Sequence, residues 1–116
     1  FAIGSGGVVV LDDSSCIVDF VHTCMLFYEA ESCGKCFPCR VGTVRLRERL
    51  DSLTGRADIP PNLMAEFDEI GSAMSTASAC GLGQAAPLVL QGMLRFFGDE
   101  VAAHEAGNCP AGVCHF

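Results

Sequence analysis

The sequence predicts a mainly α-helical domain, a four-helix bundle preceded by one short N-terminal strand, with its chemistry placed in the connections between helices. Three observations carry this prediction. Apolar residues recur at helical spacing over four separate stretches of the 116-residue chain. Proline and glycine punctuate those stretches where helices should begin and end. Most of the eight cysteines fall at the ends of the stretches or between them. Half of the residues are hydrophobic, which is enough apolar material for one domain with a real core. No uninterrupted apolar run reaches the length that spans a bilayer.

The elements follow in order. Gly4-Ser-Gly-Gly-Val-Val-Val-Leu-Asp-Asp13 reads as a Gly-rich turn, an apolar strand and an acidic stop. Ser14 or Ser15 should cap a first helix whose apolar positions are Ile17, Phe20, Val21, Cys24, Phe27 and Tyr28. His22 falls off that stripe and reads as a surface residue, whereas Cys24 lies on it and reads as a small core hydrophobe. A second helix should span residues 38–53 and end at Gly55, with Leu46, Leu50 and Leu53 on one face. Pro60-Pro61 opens a third, carrying Leu63, Phe67, Ile70 and Met74 inward. Its end, Gly71-Ser-Ala-Met-Ser-Thr-Ala-Ser-Ala79, is small and weakly helical, which suits close helix approach. The fourth helix is expected over residues 84–104 with Leu90, Met93, Phe97 and Val101 inward. Four such helices with short links form a bundle, and the Met and Phe residues on these stripes read as core.

Chemistry concentrates in Glu31-Ser-Cys-Gly-Lys-Cys-Phe-Pro-Cys-Arg40, where Cys33, Cys36 and Cys39 stand at C-x2-C-x2-C spacing. Such a run wraps readily around one face of a 4Fe-4S cluster, with a fourth cysteine supplied from elsewhere. The best candidate is Cys80, in Ala79-Cys-Gly-Leu-Gly-Gln-Ala-Ala-Pro87. Gly81 and Gly83 allow close backbone approach, and Pro87 should start a helix just afterwards. Pro38 likewise places Cys39 at a helix start, where free amides and the dipole favour an anionic cluster. Other readings of the thiols fit less well. A disulfide framework suits small secreted domains short of core, and a thioredoxin-type pair at Cys33 and Cys36 would open from a strand and be crowded by Cys39. Structural zinc is the serious rival, but zinc sites usually come as two C-x2-C pairs.

The charge pattern agrees. The chain carries a net charge of −7, yet six of its seven basic residues (Lys35, Arg40, Arg45, Arg47, Arg49, Arg56) lie in residues 35–56 beside only Glu48 and Asp51. Lys35 and Arg40, next to an anionic cluster, should raise its reduction potential. Arg45, Arg47 and Arg49 read equally well as the solvated face of a helix. The acidic balance argues against nucleic acid, because phosphate binding needs a basic footprint. A positive mean hydropathy of +0.38 without a membrane span points to surfaces that pack against partners.

The tail holds a second signal. His104, Cys109 and Cys114 recur at five-residue intervals, with Pro110 and Gly112 forming a turn between the thiols. This set lacks one ligand for closed tetrahedral zinc, and Cys16, Cys24 or His115 could supply it. Cys16, at a helix start, is preferred because loop ends converge more easily than mid-helix positions. Unpaired tail thiols, or a site completed by another chain, are the alternatives.

In combination, the Gly-rich segment 4–13, the triple-cysteine run and Cys80-Gly-Leu-Gly-Gln-Ala-Ala-Pro87 resemble the C-terminal iron-sulfur domain of NADH-binding flavoprotein subunits. These occur in respiratory complex I and in NAD(P)-linked hydrogenases and formate dehydrogenases. The resemblance covers most of the chain. It implies a helical bundle whose 4Fe-4S cluster, held by Cys33, Cys36, Cys39 and Cys80, takes electrons from an FMN reduced by NADH and passes them to other iron-sulfur subunits. Cys16 and the Cys109-Pro-Ala-Gly-Val-Cys114 tail depart from complex I and look like electron-bifurcating hydrogenases and formate dehydrogenases. That likeness implies a zinc site of Cys16, His104, Cys109 and Cys114 at a hinge to a further ferredoxin-like domain. The implied organisation is the end of a preceding domain at 1–13, the bundle at 14–104 and a tail or hinge at 105–116. The family's FMN and NAD(P) sites lie upstream of position 1, so the chain, which starts without Met, is expected to be part of something longer and not to oxidise NADH alone. The implied setting is cytoplasmic, free or peripheral to a membrane complex. A contrasting expectation is a metal-stabilised module, with zinc at both sites, that only docks other subunits.

Overall fold

The computed structural model describes residues 6–55 and 59–114. The start of the Gly-rich turn at Gly4 and Ser5, Arg56 and His115 lie outside them. Five helices are present among the described residues: α1 (Ile17–Glu31), α2 (Phe37–Leu53), α3 (Leu63–Ala77), α4 (Gly81–Phe96) and α5 (Gly98–Glu105). Helix α1 packs on α2, α2 on α3, α3 on α4 and α4 back on α1, which closes the four-helix bundle, while the short α5 rests against α1, α2 and α4. The core is one cluster: Val18, Val21 and Met25 from α1; Leu46, Leu50 and Leu53 from α2; Leu63, Phe67 and Met74 from α3; Ala86, Leu90 and Met93 from α4; and Val101 from α5.

Small residues set the close crossings, as expected for the segment beginning at Gly71; the crossing at Gly42 was not expected. A Cβ on Gly42 would lie 2.5 Å from Met74 Sδ, where α2 meets α3, and one on Gly71 would lie 3.3 Å from Pro87 Cβ, where α3 meets α4. A side chain at Gly71 would press on Pro87, and one at Gly42 would require Met74 to shift.

Several expectations need correction. No strand is formed among the described residues. The segment at Val8 to Leu11 is extended but unpaired, with Val8 84% and Val10 88% exposed, and it flanks an apolar groove of about 900 Å³ between α1 and α4. Ser14 does not cap α1; its amide closes a turn on Asp12 Oδ1 at 3.0 Å. The cap is Cys16, whose sulfur accepts the Asp19 amide at 3.4 Å. The buried stripe of α1 is accordingly Val18, Val21 and Met25, leaving Phe27 exposed and Cys24 half-buried.

Pro87 does not start α4 but lies inside it. The helix begins six residues earlier, because Cys80 takes the N-cap position and Gly81 to Gly83 can follow it at once. The expected single helix over 84–104 is broken at Phe97, which leaves helical geometry at φ −126° and ψ 33°. Phe97 is 43% exposed instead of inward. Gly98, a poor helix former, and the acidic Asp99 and Glu100, favourable in a first turn, let a new helix start there.

The arginines also differ from a solvated face. Arg47 joins α1 to α2 by pairing with Glu29 at 2.8 Å and Asp51 at 2.7 Å, and Arg49 joins α2 to α3 through Glu66 at 2.8 Å. His22, expected on the surface, is half-buried and bonds Asp51 in the same network. Only Arg45 behaves as expected, exposed beside Glu48.

Candidate iron-sulfur and metal sites

The triple-cysteine run crosses from the end of α1 to the start of α2. Ser32 caps the C-terminus of α1 in extended geometry, and Gly34 turns the chain at φ +74°, a conformation that costs glycine little. Arg40 holds the turn from the other side, donating to the Gly34 carbonyl at 2.8 Å. Cys36 is the N-cap of α2 with Pro38 in its first turn, and Cys39 sits within that turn.

Cys80 arrives by a matching construction. Ser78 caps α3 in extended geometry, and Cys80 is the N-cap of α4. Gln84 reaches back to the Ser78 carbonyl at 3.1 Å and fixes the connection. The two connections meet. The Ala79 and Cys39 amides approach the Cys36 sulfur and hold its thiol below the ordinary range. Gly83 lies so near that a Cβ there would stand 2.9 Å from Cys39 Cβ and 2.5 Å from Ser78 Oγ.

The residues fit a 4Fe-4S cluster on observations beyond the donor set. Ser78 Oγ is buried without a hydrogen-bond partner among the described residues, as expected for a group beside a ligand. Ser32 Oγ accepts the Gly34 amide at 3.3 Å, which leaves its O–H to donate to Cys39 Sγ at 3.2 Å. Cys39 is buried, Cys36 half-buried, and Cys33 and Cys80 are exposed. Lys35 is exposed and forms no ion pair among the described residues. The two serines escaped sequence reasoning. The signal was available, since each is a small hydroxyl residue at a helix end, one or two positions ahead of a cysteine.

The second set converges where α5 and the tail meet the start of α1, with Cys16 and His104 buried and Cys109 and Cys114 half-buried. The ligand atoms of Cys16, His104, Cys109 and Cys114 all lie within 4.8 Å of one another. His104, 0% exposed, places Nε2 3.2 Å from Cys16 Sγ. Its Nδ1 lies 2.7 Å from the Glu100 carbonyl. A carbonyl only accepts, so Nδ1 carries a proton there, and Nε2 is the ring nitrogen that faces the sulfurs. Cys16 and Cys114 sulfurs are 3.7 Å apart, too far for a disulfide. A tetrahedral ion with metal–sulfur bonds of about 2.3 Å spaces its sulfurs about 3.8 Å apart. Burial pushes the Cys16 and Cys114 thiols up. Burial acts the same way on Cys109, but the Cys114 and Val113 amides and the neighbouring thiols outweigh it and bring Cys109 to about 6. Cys24 takes no part in this group.

A helical bundle with a C-x2-C-x2-C run at one helix start and a further cysteine at the start of a facing helix belongs to the class of iron-sulfur domains. Comparison with known proteins gives the family. Residues 19–104 match the NADH-ubiquinone oxidoreductase-F iron-sulfur binding region, and the chain belongs to that family of 4Fe-4S-binding domains. It is 38% identical over 117 residues to the NADP-reducing hydrogenase subunit HndC of Solidesulfovibrio fructosivorans, an alignment covering 97% of this chain and 23% of that protein. It is 35% identical over 112 residues to the F 2 subunit of the NADH-quinone oxidoreductase of Rhizobium meliloti (strain 1021), covering 93% of this chain and 26% of that one. Among solved structures it resembles an NAD+-reducing [NiFe]-hydrogenase in the H2-reduced state, with a TM-score of 0.77 and 28% identity, over 82% of this chain and 16% of that one. The chain spans about a quarter of the length of the curated relatives it matches. Among the described residues no helix is long and apolar enough to cross a membrane.

Proposed function

We propose that Cys33, Cys36, Cys39 and Cys80 hold the 4Fe-4S cluster and that the domain relays single electrons between a flavin site and other iron-sulfur centres of an NAD(P)H-linked oxidoreductase complex. The observation that carries this reading is the meeting of the Cys36–Cys39 turn with the Ala79–Gly83 turn at two helix N-termini. When bound, the cluster supplies a one-electron couple. The protein's part is electrostatic. The Ser32 hydroxyl and the amides around Cys36 donate toward ligand sulfurs, and Lys35 and Arg40 add positive charge, all of which favour the more negative, reduced form. Lys35 thus tunes the potential without ligating. The FMN and NAD(P)H chemistry belongs to other parts of the parent polypeptide, so the domain alone is not the NADH oxidant. Residues 1–13 and 105–116 are read as its connections to flanking domains around a bundle at 14–104, a division supported by the exposure of the segment at Val8 to Val10. A cytoplasmic setting, free or peripheral to a membrane complex, fits this role.

The Cys16, His104, Cys109 and Cys114 set, its first two members buried and its last two half-buried, supports a second, structural role. It has the composition and spacing of a closed zinc site, and it would pin α5 and the tail to the start of α1.

The test is metal and acid-labile sulfide content of anaerobically prepared protein, with Cys36→Ser alongside. Wild-type protein should hold about four iron and four sulfide per chain with a reduced-cluster EPR signal, and Cys36→Ser should lose most of the iron and its absorbance. Zinc alone, without sulfide, would overturn the relay in favour of a purely structural, metal-stabilised docking module.

A further inference from the structure

The two connections that carry the cysteines are built alike, and each begins on a serine. Ser32 closes α1 and Ser78 closes α3 in nearly the same backbone geometry, φ −63° and ψ 129° against φ −66° and ψ 142°. The amide of each bonds a carbonyl one turn back, Tyr28 for Ser32 and Met74 for Ser78. Each then leads within two residues to a cysteine, Cys33 or Cys80. The two hydroxyls differ in one respect. Ser32 Oγ has its partners, the Gly34 amide at 3.3 Å and Cys39 Sγ at 3.2 Å. Ser78 is only 6% exposed, and its Oγ is buried with no hydrogen-bond partner among the described residues. A hydroxyl is rarely left so, because it has lost water without gaining a partner. Its surroundings indicate where the partner belongs. The place that a Cβ on Gly83 would take lies 2.5 Å from Ser78 Oγ and 2.9 Å from Cys39 Cβ, so the hydroxyl stands close to Cys39, the buried member of the proposed ligand set.

We propose that the Ser78 hydroxyl donates its hydrogen bond to a sulfur of the bound cluster and thereby raises the reduction potential, acting from the α3–α4 connection as Ser32 acts from the α1–α2 connection. The inference rests on the relay reading above and adds a residue that sets how readily the relay is reduced. Ser78 does not ligate. Its O–H favours reduction because the reduced form is the more negative and accepts the bond more strongly. Burial adds to the effect, since no solvent competes for the donor. Ser78 also differs in kind from Lys35 and Arg40. Those cations are exposed, so salt screens their influence, whereas a buried hydroxyl acts alike at any ionic strength.

The experiment is an EPR-monitored redox titration of the iron-loaded chain at low and high salt, on wild type, Ser78→Ala and Ser78→Thr, with iron content measured on every sample. At the wild-type midpoint, the ratio of reduced to oxidised cluster should be about tenfold lower in Ser78→Ala, a shift of about 59 mV for a one-electron couple. The shift should be the same at both salt concentrations. Ser78→Thr keeps the hydroxyl and should stay within about twofold of the wild-type ratio. Ser78→Ala with full iron and an unmoved midpoint leaves the hydroxyl to a buried water and overturns the proposal. A shift that Ser78→Thr shares in full reflects packing and overturns it too. If Ser78→Ala holds too little iron to titrate, the threonine variant decides. Full loading of Ser78→Thr then shows that the hydroxyl itself holds the cluster, as proposed, whereas equal failure of both variants assigns position 78 to packing and overturns it. Wild-type iron content separates the two readings: a loaded wild type without the expected shift removes the role of Ser78 alone, and a wild type without iron removes the relay reading beneath it.

Discussion

Gly83→Ala is the sharpest single test of how the cysteine turns are assembled. The added methyl would meet Ser78 Oγ at 2.5 Å, Ser78 Cβ at 2.7 Å and Cys39 Cβ at 2.9 Å. Two of these are Cβ atoms fixed to the backbone, so no rotamer change relieves them. The α4 N-terminus must move away from α2, and the Cys80 connection moves with it. Overpacking of this kind costs about 1–3 kcal/mol, here at the upper end because three contacts are violated together. Replacing a helical glycine by alanine returns about 1 kcal/mol, leaving a net loss of about 2 kcal/mol. Gly42→Ala is the matched control. Its methyl would meet Met74 at Sδ, 2.5 Å, and Cγ, 2.6 Å, and an unbranched thioether can swing aside, so its net cost should stay below about 1 kcal/mol. The assay is anaerobic urea unfolding of each variant together with iron content. Gly83→Ala should lose both stability and iron, and Gly42→Ala should keep its iron. A Gly83→Ala protein as stable and as iron-rich as wild type would refute the close apposition of the two turns.

Other outcomes follow from the remaining features. Cys109→Ser should lower zinc content, measured by elemental analysis of purified protein, while leaving iron unchanged; loss of iron instead would show the thiols to be partitioned differently. Asp51→Asn should destabilise the bundle by about 1 kcal/mol at neutral pH, because the carboxylate bridges half-buried Arg47 and His22 between α1 and α2. Burial pushes the Asp51 carboxyl up, but Arg47 and His22 outweigh it and hold it below its ordinary value of 3.8. Its contribution is therefore fully present above about pH 3.8 and lost as pH falls through the lower folded value. The gap between wild type and Asp51→Asn in acid unfolding should close over that window, and a gap that widened there would count against the ion-pair account.

How much of this was legible depended on whether the determining interaction was local. Leu46, Leu50 and Leu53 all became core because a leucine stripe with its C-terminal glycine is a statement about one helix. The C-x2-C-x2-C run was readable for the same reason. The stripe of α1 was read in part: Val21 is buried and Ile17, Phe20 and Tyr28 pack against the core, but Phe27 is exposed and Val18 and Met25 take the deepest places. The neighbouring helices decide which residues go deepest, and periodicity alone does not. The break at Phe97 was invisible because residues on both sides keep helical spacing; it is resolved by the burial of Val101 and His104, the latter against Cys16 at the start of α1. The arginine clamps depend on Glu29 and Glu66, 18 and 17 residues away from their partners. Pairings over such separations leave no mark on a single window of sequence.

One construction recurs at both proposed ligand sets and accounts for cysteine standing where serine or aspartate usually does. Cys16, Cys36 and Cys80 each occupy the N-cap of a helix in extended geometry, at the starts of α1, α2 and α4. An N-cap residue faces the unpaired amides of the first turn and the positive end of the dipole. A neutral thiol is a weak acceptor and satisfies those amides poorly: Cys16 makes a long capping bond at 3.4 Å, and at Cys36 the Cys39 amide approaches the sulfur without closing a capping bond. A thiolate bound to metal is a far better anion for the same place. On the proposed ligation, each helix start is incompletely capped by the bare thiol and would be completed by the ligated one, so that metal loading would be linked to the ordering of α1, α2 and α4. The same linkage acts in reverse, because helices already held by the leucine and methionine core present their amides to the incoming metal in advance. The leucine and methionine side chains of the core would thus contribute to metal affinity without themselves ligating.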